Sequence, residues 1–214
     1  MENIILKNVV PHAFDGVSDL PSDLWGKEVK LPRGETYLIE SDSGGGKSSL
    51  CHYLIGYRCD YNGQILFDSE DIRRFSRSRW MDVRQSHISH LFQELRLFPE
   101  LTAWENVMLK NQITATLTST AIADAFARLG LKDKCHVPCA HLSLGQQQRV
   151  AAIRAVAQPF DFMLIDEPVS HLDDYNAHVL GEFLSETCLE RNASLVVMSI
   201  GKHPKLTYTH TIRL

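Results

Sequence analysis

No stretch of this chain approaches the roughly 18 consecutive apolar residues that a membrane-spanning helix needs, so a direct crossing is not expected. The opening, MENIILKNVV, lacks the basic start and long apolar core of a secretory signal. The expected location is therefore cytoplasmic, with any work at a membrane done through another protein. No large charge imbalance exists either: 22 Lys and Arg stand against 26 Asp and Glu, a formal net charge of −4. That excludes the broad basic field a nucleic-acid binder presents, so no nucleic-acid partner is expected. Cysteines number five, an odd count with loose spacing, which fits reduced thiols rather than a disulfide frame. Cys135, His136, Cys139 and His141 gather zinc-type ligands. They lack the C-x-x-C spacing and the second pair that zinc sites usually show, so small buried thiols in a loop are the expectation.

What remains is an ordinary globular balance, 44% hydrophobic and 22% charged over 214 residues, the size of one domain with room for a subdomain. Residues 3–10 and 28–31 read as strands, with turn chemistry between them at Pro11, Gly16, Pro21 and Gly26. Strands are also expected at 36–40, 64–67, 86–93, 162–165 and 195–199, and helices at 48–55, 145–157 and 174–191. Thr102 and Glu105 have capping-box spacing, and Ile122, Phe126 and Leu129 recur at helical spacing before Gly130. Strands alternating with helices imply an α/β fold with a mainly parallel sheet. The early strands imply an added antiparallel layer, and residues from about 95 to 145 a helical insert. The basic run Arg73 to Trp80 could touch nucleic acid or anionic lipid, but a solvated helix face is the commoner outcome.

The stretch SDSGGGKSSL, Ser41 to Leu50, follows the apolar run YLIE and precedes a helix. It matches a phosphate loop, G-x-x-x-x-G-K-[ST], except that Ser41 stands at the first glycine. Successive glycines let backbone N–H groups converge on phosphate, and the helix start adds its positive dipole end. Lys47 would bridge the β- and γ-phosphates and the Ser48 hydroxyl would ligate Mg²⁺. If position 41 needs a positive φ, serine there costs about 1 kcal/mol against glycine. Further on, Phe162 to Ile165 run apolar into Asp166 and Glu167. Acids at the carboxyl end of a buried parallel strand sit where such sheets bind ligands. Asp166 would hold Mg²⁺, and Glu167 would orient or deprotonate an attacking water.

The run LSLGQQQRVAAIRAV from Leu142 completes a pattern with LKNVV, LPRGE, NGQILFDSEDI, LFQELRLFPELTAWENV, FMLIDEP and SHLD. In order and spacing it resembles the ATP-binding cassette (ABC) ATPases from end to end. The resemblance implies a P-loop NTPase (RecA-like) core, an N-terminal antiparallel β layer and an α-helical subdomain, with residues 1–214 forming one nucleotide-binding domain. It implies ATP and Mg²⁺ as cofactors and an ATP site formed by Phe14, Ser41, Asp42, Ser43, Gly44, Gly45, Gly46, Lys47, Ser48 and Ser49. Phe14 would stack on adenine. Gln93 would sense Mg²⁺ and the attacking water. Leu142, Ser143, Leu144, Gly145 and Gln146 would form the signature that closes over a partner cassette's ATP, with Leu144 in place of a glycine. Asp173 would act across the dimer.

The resemblance further implies an ATP-hydrolysing subunit that pairs with a second cassette, the same or different. It would drive a separate integral membrane permease from the cytoplasmic face. ELRLFPEL, with Leu97, Phe98 and Pro99 exposed, resembles the surface that receives the permease. One position departs: where the family carries a histidine after its last strand, strict register puts Ile200. His203, three residues on, could serve only if the loop bends back. Two other readings stand beside this one, a slow or inactive nucleotide-binding switch and a soluble ABC protein outside transport.

Overall fold

Two sheets and a set of helices arise directly from the alternation of apolar runs and turns. The structure is a computed structural model that describes every residue except Ser18, Asp19, Ser43, Pro168, Ser170, His171 and Lys202. An antiparallel sheet has the order β2-β1-β4-β5, formed by Glu28–Pro32, Asn3–Pro11, Tyr61–Phe67 and Glu70–Asp71. A parallel sheet has the order β6-β7-β8-β3-β9, formed by Ile88–Leu91, Phe162–Asp166, Ser194–Ser199, Thr36–Glu40 and His210–Arg213. In the first, β1 pairs with β4 through a bulge between Lys7 and Val10. Gly63 lies against it, and a Cβ there would stand 2.2 Å from the Asn8 carbonyl oxygen, so only glycine fits.

Side-chain alternation along the parallel strands divides the core in two. Leu38, Met163, Ile165, Leu195 and Val197 face one cluster. That cluster is completed by α3 (Ala103–Thr114), α4 (Ser119–Arg128), α5 (Leu144–Val156) and α6 (Asp174–Glu190). Tyr37, Ile39, Phe162, Leu164, Val196 and Met198 face the other, filled by α1 (Lys47–Leu54) and the antiparallel sheet. With helices on one face and helix plus sheet on the other, the parallel strands are buried on both sides and read as continuous apolar runs. The Thr102–Glu105 capping box forms and starts α3.

Several elements differ from the sequence expectation. The segment 86–93 is a strand only over β6; Val83 to His87 form a π-helical turn, and Gln93 lies beyond the strand. Strand β4 starts at Tyr61 rather than at Gln64, because the β1 bulge accommodates Gly63 inside the ladder. The basic run forms a short helix, α2 (Arg77–Asp82), capped by Ser76. Arg73 lies 4.2 Å from the Tyr61 ring, while Arg79 lies 5.2 Å from the Phe75 ring and 3.5 Å from Glu70. Trp80 packs edge-on to Phe75 and covers Gly56. Its charges and rings therefore serve local packing. Strands β5 and β9 carry little sequence signal: β9 is mostly exposed and pairs at the sheet edge with β3.

Candidate functional site

The order β7-β8-β3 sets the carboxyl ends of β3 and β7 one strand apart, where the loop after Glu40 and the acids after Ile165 converge. Gly46 has φ +94 and begins α1, and Gly44 has φ +87, so both adopt the left-handed backbone that glycine provides. Ser41 is not in the left-handed region, so the φ cost considered for serine does not arise. Its side chain has another use. The Lys47 ammonium donates to the Ser41 hydroxyl at 2.7 Å, the Ser41 carbonyl at 3.0 Å and the Asp42 carbonyl at 3.1 Å. Lys47 is 5% exposed, and burial lowers its pKa against the raising influence of Glu167, Asp166 and Asp42. Ser43 lies outside the described residues. Ser49 accepts from Arg58 at 3.2 Å, on the far side of the loop's helix start.

Two aromatic residues back the loop. A Cβ on Gly46 would meet Trp25 at 3.0 Å and Phe14 at 3.3 Å, so both rings lie against it. Trp25 is buried, and its indole N–H donates to the Gly45 carbonyl at 2.9 Å. Trp25 was invisible to sequence reasoning: it sits in the turn region before β2 with no motif around it.

Opposite the loop, the Ser48 hydroxyl donates to Asp166 at 3.3 Å. Asp166 is 7% exposed, and burial, followed by the neighbouring Glu167, raises its pKa. Glu167 has φ +50, a left-handed conformation costing roughly 1–2 kcal/mol in a non-glycine residue. Its N–H donates to the Met198 carbonyl at 2.9 Å. Gln93 donates to the Glu167 carboxylate at 3.3 Å, and Gln148 on α5 donates to the Glu167 carbonyl at 3.4 Å. Gln148 is a second residue the sequence did not single out. A hydroxyl beside a carboxylate, with a second carboxylate adjacent, is a hard oxygen donor set suited to Mg²⁺. The crowded acids, with burial and Glu167 raising the pKa of Asp166, would be relieved by a cation.

The remaining candidates fall into three groups. Ser143 caps α5: its hydroxyl oxygen accepts from the Gln146 N–H at 3.3 Å, and the Gln146 side chain accepts from the Ser143 N–H at 2.9 Å. Leu142 is buried in the helical core, whereas Leu144 is 47% exposed in the first turn of α5 with a helical backbone; Gly145 follows it there. Asp173 caps α6, bonded to the Asn176 backbone and side chain at 2.8 Å, and Asn176 accepts from Arg149 of α5 at 2.6 Å. Asn176 thus ties the α6 cap to the second turn of α5. Ser170 and His171 of the SHLD run lie outside the described residues. His203 stands 3.8 Å from Glu40, bonds the Pro204 carbonyl at 3.0 Å and meets Tyr208 edge-on, while Ile200 is 46% exposed. Phe98 and Pro99 are exposed, but Leu97 is partly buried against the helical core. The cysteine cluster is locally satisfied: Cys135 bonds the Lys132 carbonyl, and buried Cys139 accepts from Asn106.

Residues 25–170 match the family model described as ABC transporter. The chain is 32% identical over 179 residues to the ABC transporter ATP-binding protein YtrE of Bacillus subtilis, covering 81% of this chain and 77% of that protein. It is 31% identical to the lipoprotein-releasing system ATP-binding protein LolD of Shewanella frigidimarina, covering 91% and 82%. Among solved structures it resembles the dimeric ABC transporter cassette MJ0796, with TM-score 0.77, 26% identity, and 92% and 87% coverage. The post-hydrolysis dimer of that cassette with ADP and phosphate gives TM-score 0.74 at 25% identity over the same shares.

Proposed function

The chain belongs to the ABC transporter ATP-binding family, and from that membership we propose that it is the ATP-hydrolysing subunit of a transporter whose membrane permease is a separate chain. The observation that carries this is the linked set of Lys47, Ser48, Asp166, Glu167 and Gln93 at the ends of β3 and β7. Residues 1–214 act as one cassette, with 95–145 as its helical subdomain. It works on the cytoplasmic face of the membrane and pairs with a second cassette.

Lys47 exchanges hydrogen bonds to Ser41 and Asp42 for bonds to phosphate oxygens, and the amides from Gly44 to Ser48 converge on the same charge. Ser48 and Asp166 would hold Mg²⁺, with Gln93 beside them, and the ion would supply neutralisation of phosphate charge. Glu167 takes a proton from, or orients, the attacking water, and Gln93 holds the Glu167 carboxylate in place. Phe14 lies where an adenine ring could stack. Ser143, whose hydroxyl hydrogen is not used in its cap, and the amide of Gly145 at the start of α5 act on the ATP held by the partner cassette. Leu144 and Gln146 flank that contact with Leu142 anchoring it, and Asp173 completes it from α6.

The test is single-turnover hydrolysis in the wild type and Glu167→Gln. The variant is expected to bind ATP normally and to lose about 10²- to 10⁴-fold in the chemical step. Equal rates would remove Glu167 from the chemistry. They would favour a second reading, a nucleotide-gated switch with little turnover. That reading draws its support from exposed Ile200 and from His203 turned towards Glu40 and Tyr208.

A further inference from the structure

The turn between β1 and β2 holds Trp25 from several sides. The Ser22 hydroxyl oxygen accepts from the Leu24 N–H at 3.0 Å and the Trp25 N–H at 2.8 Å. On one flank the Asp23 N–H donates to the Arg213 carbonyl of β9 at 2.7 Å. On the other the Gly26 N–H donates to the Val9 carbonyl of β1 at 2.9 Å. The backbone around Trp25 is thus tied to both sheets. Its ring belongs to the core cluster that α1 and the antiparallel sheet fill, and the one polar atom of that ring donates to the Gly45 carbonyl.

We infer that Trp25 is a positioning residue for phosphate binding: by holding the Gly45 carbonyl it aims the Gly46 N–H at the phosphate. The inference rests on the nucleotide reading of the loop and deepens it. A trans peptide unit carries its C=O and N–H on opposite sides, and no cis bond occurs among the described residues. With the Gly45 carbonyl drawn towards the buried indole, the Gly46 N–H faces away from the core. That N–H makes no hydrogen bond among the described residues, and Gly46 is the first residue of the helix start that would meet an anion. Glycine flanks this peptide unit on both sides, so half a turn of the whole unit meets no Cβ of its own residues. The flipped unit would present a carbonyl oxygen to phosphate in place of a donor. Phe14, the other ring against Gly46, has no donor with which to oppose that flip. The indole N–H supplies the opposition, and its anchorage in both sheets makes the hold rigid.

The test replaces Trp25 in the full chain by benzothienylalanine, which keeps the two-ring outline and puts sulfur where the N–H stood. Folding should survive, and affinity for ADP with magnesium should fall about tenfold, the loss expected for one hydrogen bond to a charged group. Trp25→Phe should show a loss at least as large; should its smaller ring prevent folding, the analogue still decides. A second readout separates aiming from packing. Gly45 and Gly46 are the glycines that follow a glycine in this chain. Labelling glycine at its carbonyl carbon and its nitrogen therefore isolates their two amides in a carbonyl-filtered spectrum. In the wild type the Gly46 amide should move downfield when ADP is added; in the analogue that shift should shrink, and the Gly45 carbonyl should change already without nucleotide. Wild-type ADP affinity in the analogue overturns the inference and leaves the nucleotide reading standing. Weaker affinity with an unaltered Gly46 response makes Trp25 a packing residue and also overturns it. If the wild type binds neither ATP nor ADP, the nucleotide reading fails and this inference with it.

Discussion

Ser41 and Gly45 share one volume in the phosphate loop. A Cβ on residue 45 would lie 2.5 Å from the Ser41 hydroxyl oxygen and 2.7 Å from its Cβ, and Gly45 has no positive φ to add strain. Gly45→Ala should therefore weaken ATP binding and stability, and Ser41→Gly should rescue it. A double-mutant cycle should give a coupling of about 1–3 kcal/mol; additive effects would refute the shared volume. His90 makes a second case. Burial, with His52 and Arg96 nearby, pushes its pKa from 6.5 to about 3. The folded protein thus keeps His90 neutral while the unfolded chain protonates it, so stability falls as pH drops below 6.5 and levels off near 3. His90→Phe should flatten that acid limb by up to one proton in urea titrations at several pH values. The glycines, Lys47, Asp166 and Glu167 were legible as motifs because phosphate chemistry needs those residue types in that order. The use of Ser41 was not legible, since a motif records which residue departs from it and not what the newcomer touches.

At the scale of elements, α5 carries two duties on one residue. Ser143 caps the helix through its oxygen, and its hydroxyl hydrogen is the proposed donor to a neighbour's nucleotide. Ser143→Ala should lose about 1 kcal/mol of stability together with ATPase activity. Ser143→Asp keeps a capping oxygen but adds a charge that repels phosphate, so thermal stability should persist while turnover is lost. Loss of stability in the aspartate variant would show that the cap geometry differs. The helices with caps and apolar spacing were readable, and so were strands buried on both faces. The π-helical turn before β6 and the edge strand β9 were not. The turn buries Val83 in the core, and β9 pairs with β3, and neither leaves a periodic pattern in the chain.

The whole molecule divides into two packed halves about one parallel sheet, and the proposed partner cassette must close over the exposed Leu144 and the start of α6. ATP-dependent dimerisation is expected to be clearest when hydrolysis is blocked: Glu167→Gln with ATP and magnesium should double its mass in light scattering, and the wild type with ADP should not. A variant that stays monomeric with ATP saturating would remove the paired mechanism. The α/β class and the antiparallel layer followed from the order of elements. The division of the sheet's two faces followed only from the register, which fixes which of two neighbouring apolar residues points to the helices.

Trp25 offers an optical consequence. Its indole is 3% exposed and tied to the Gly45 carbonyl, whereas Trp80 packs with Phe67 and Phe75, and Trp104 with Phe126. Of the three fluorophores, this one is bonded to the glycine loop proposed to hold nucleotide. Emission from a chain whose other two indoles are replaced by phenylalanine would then shift in wavelength as the cradle rearranges, giving a label-free clock for filling and emptying.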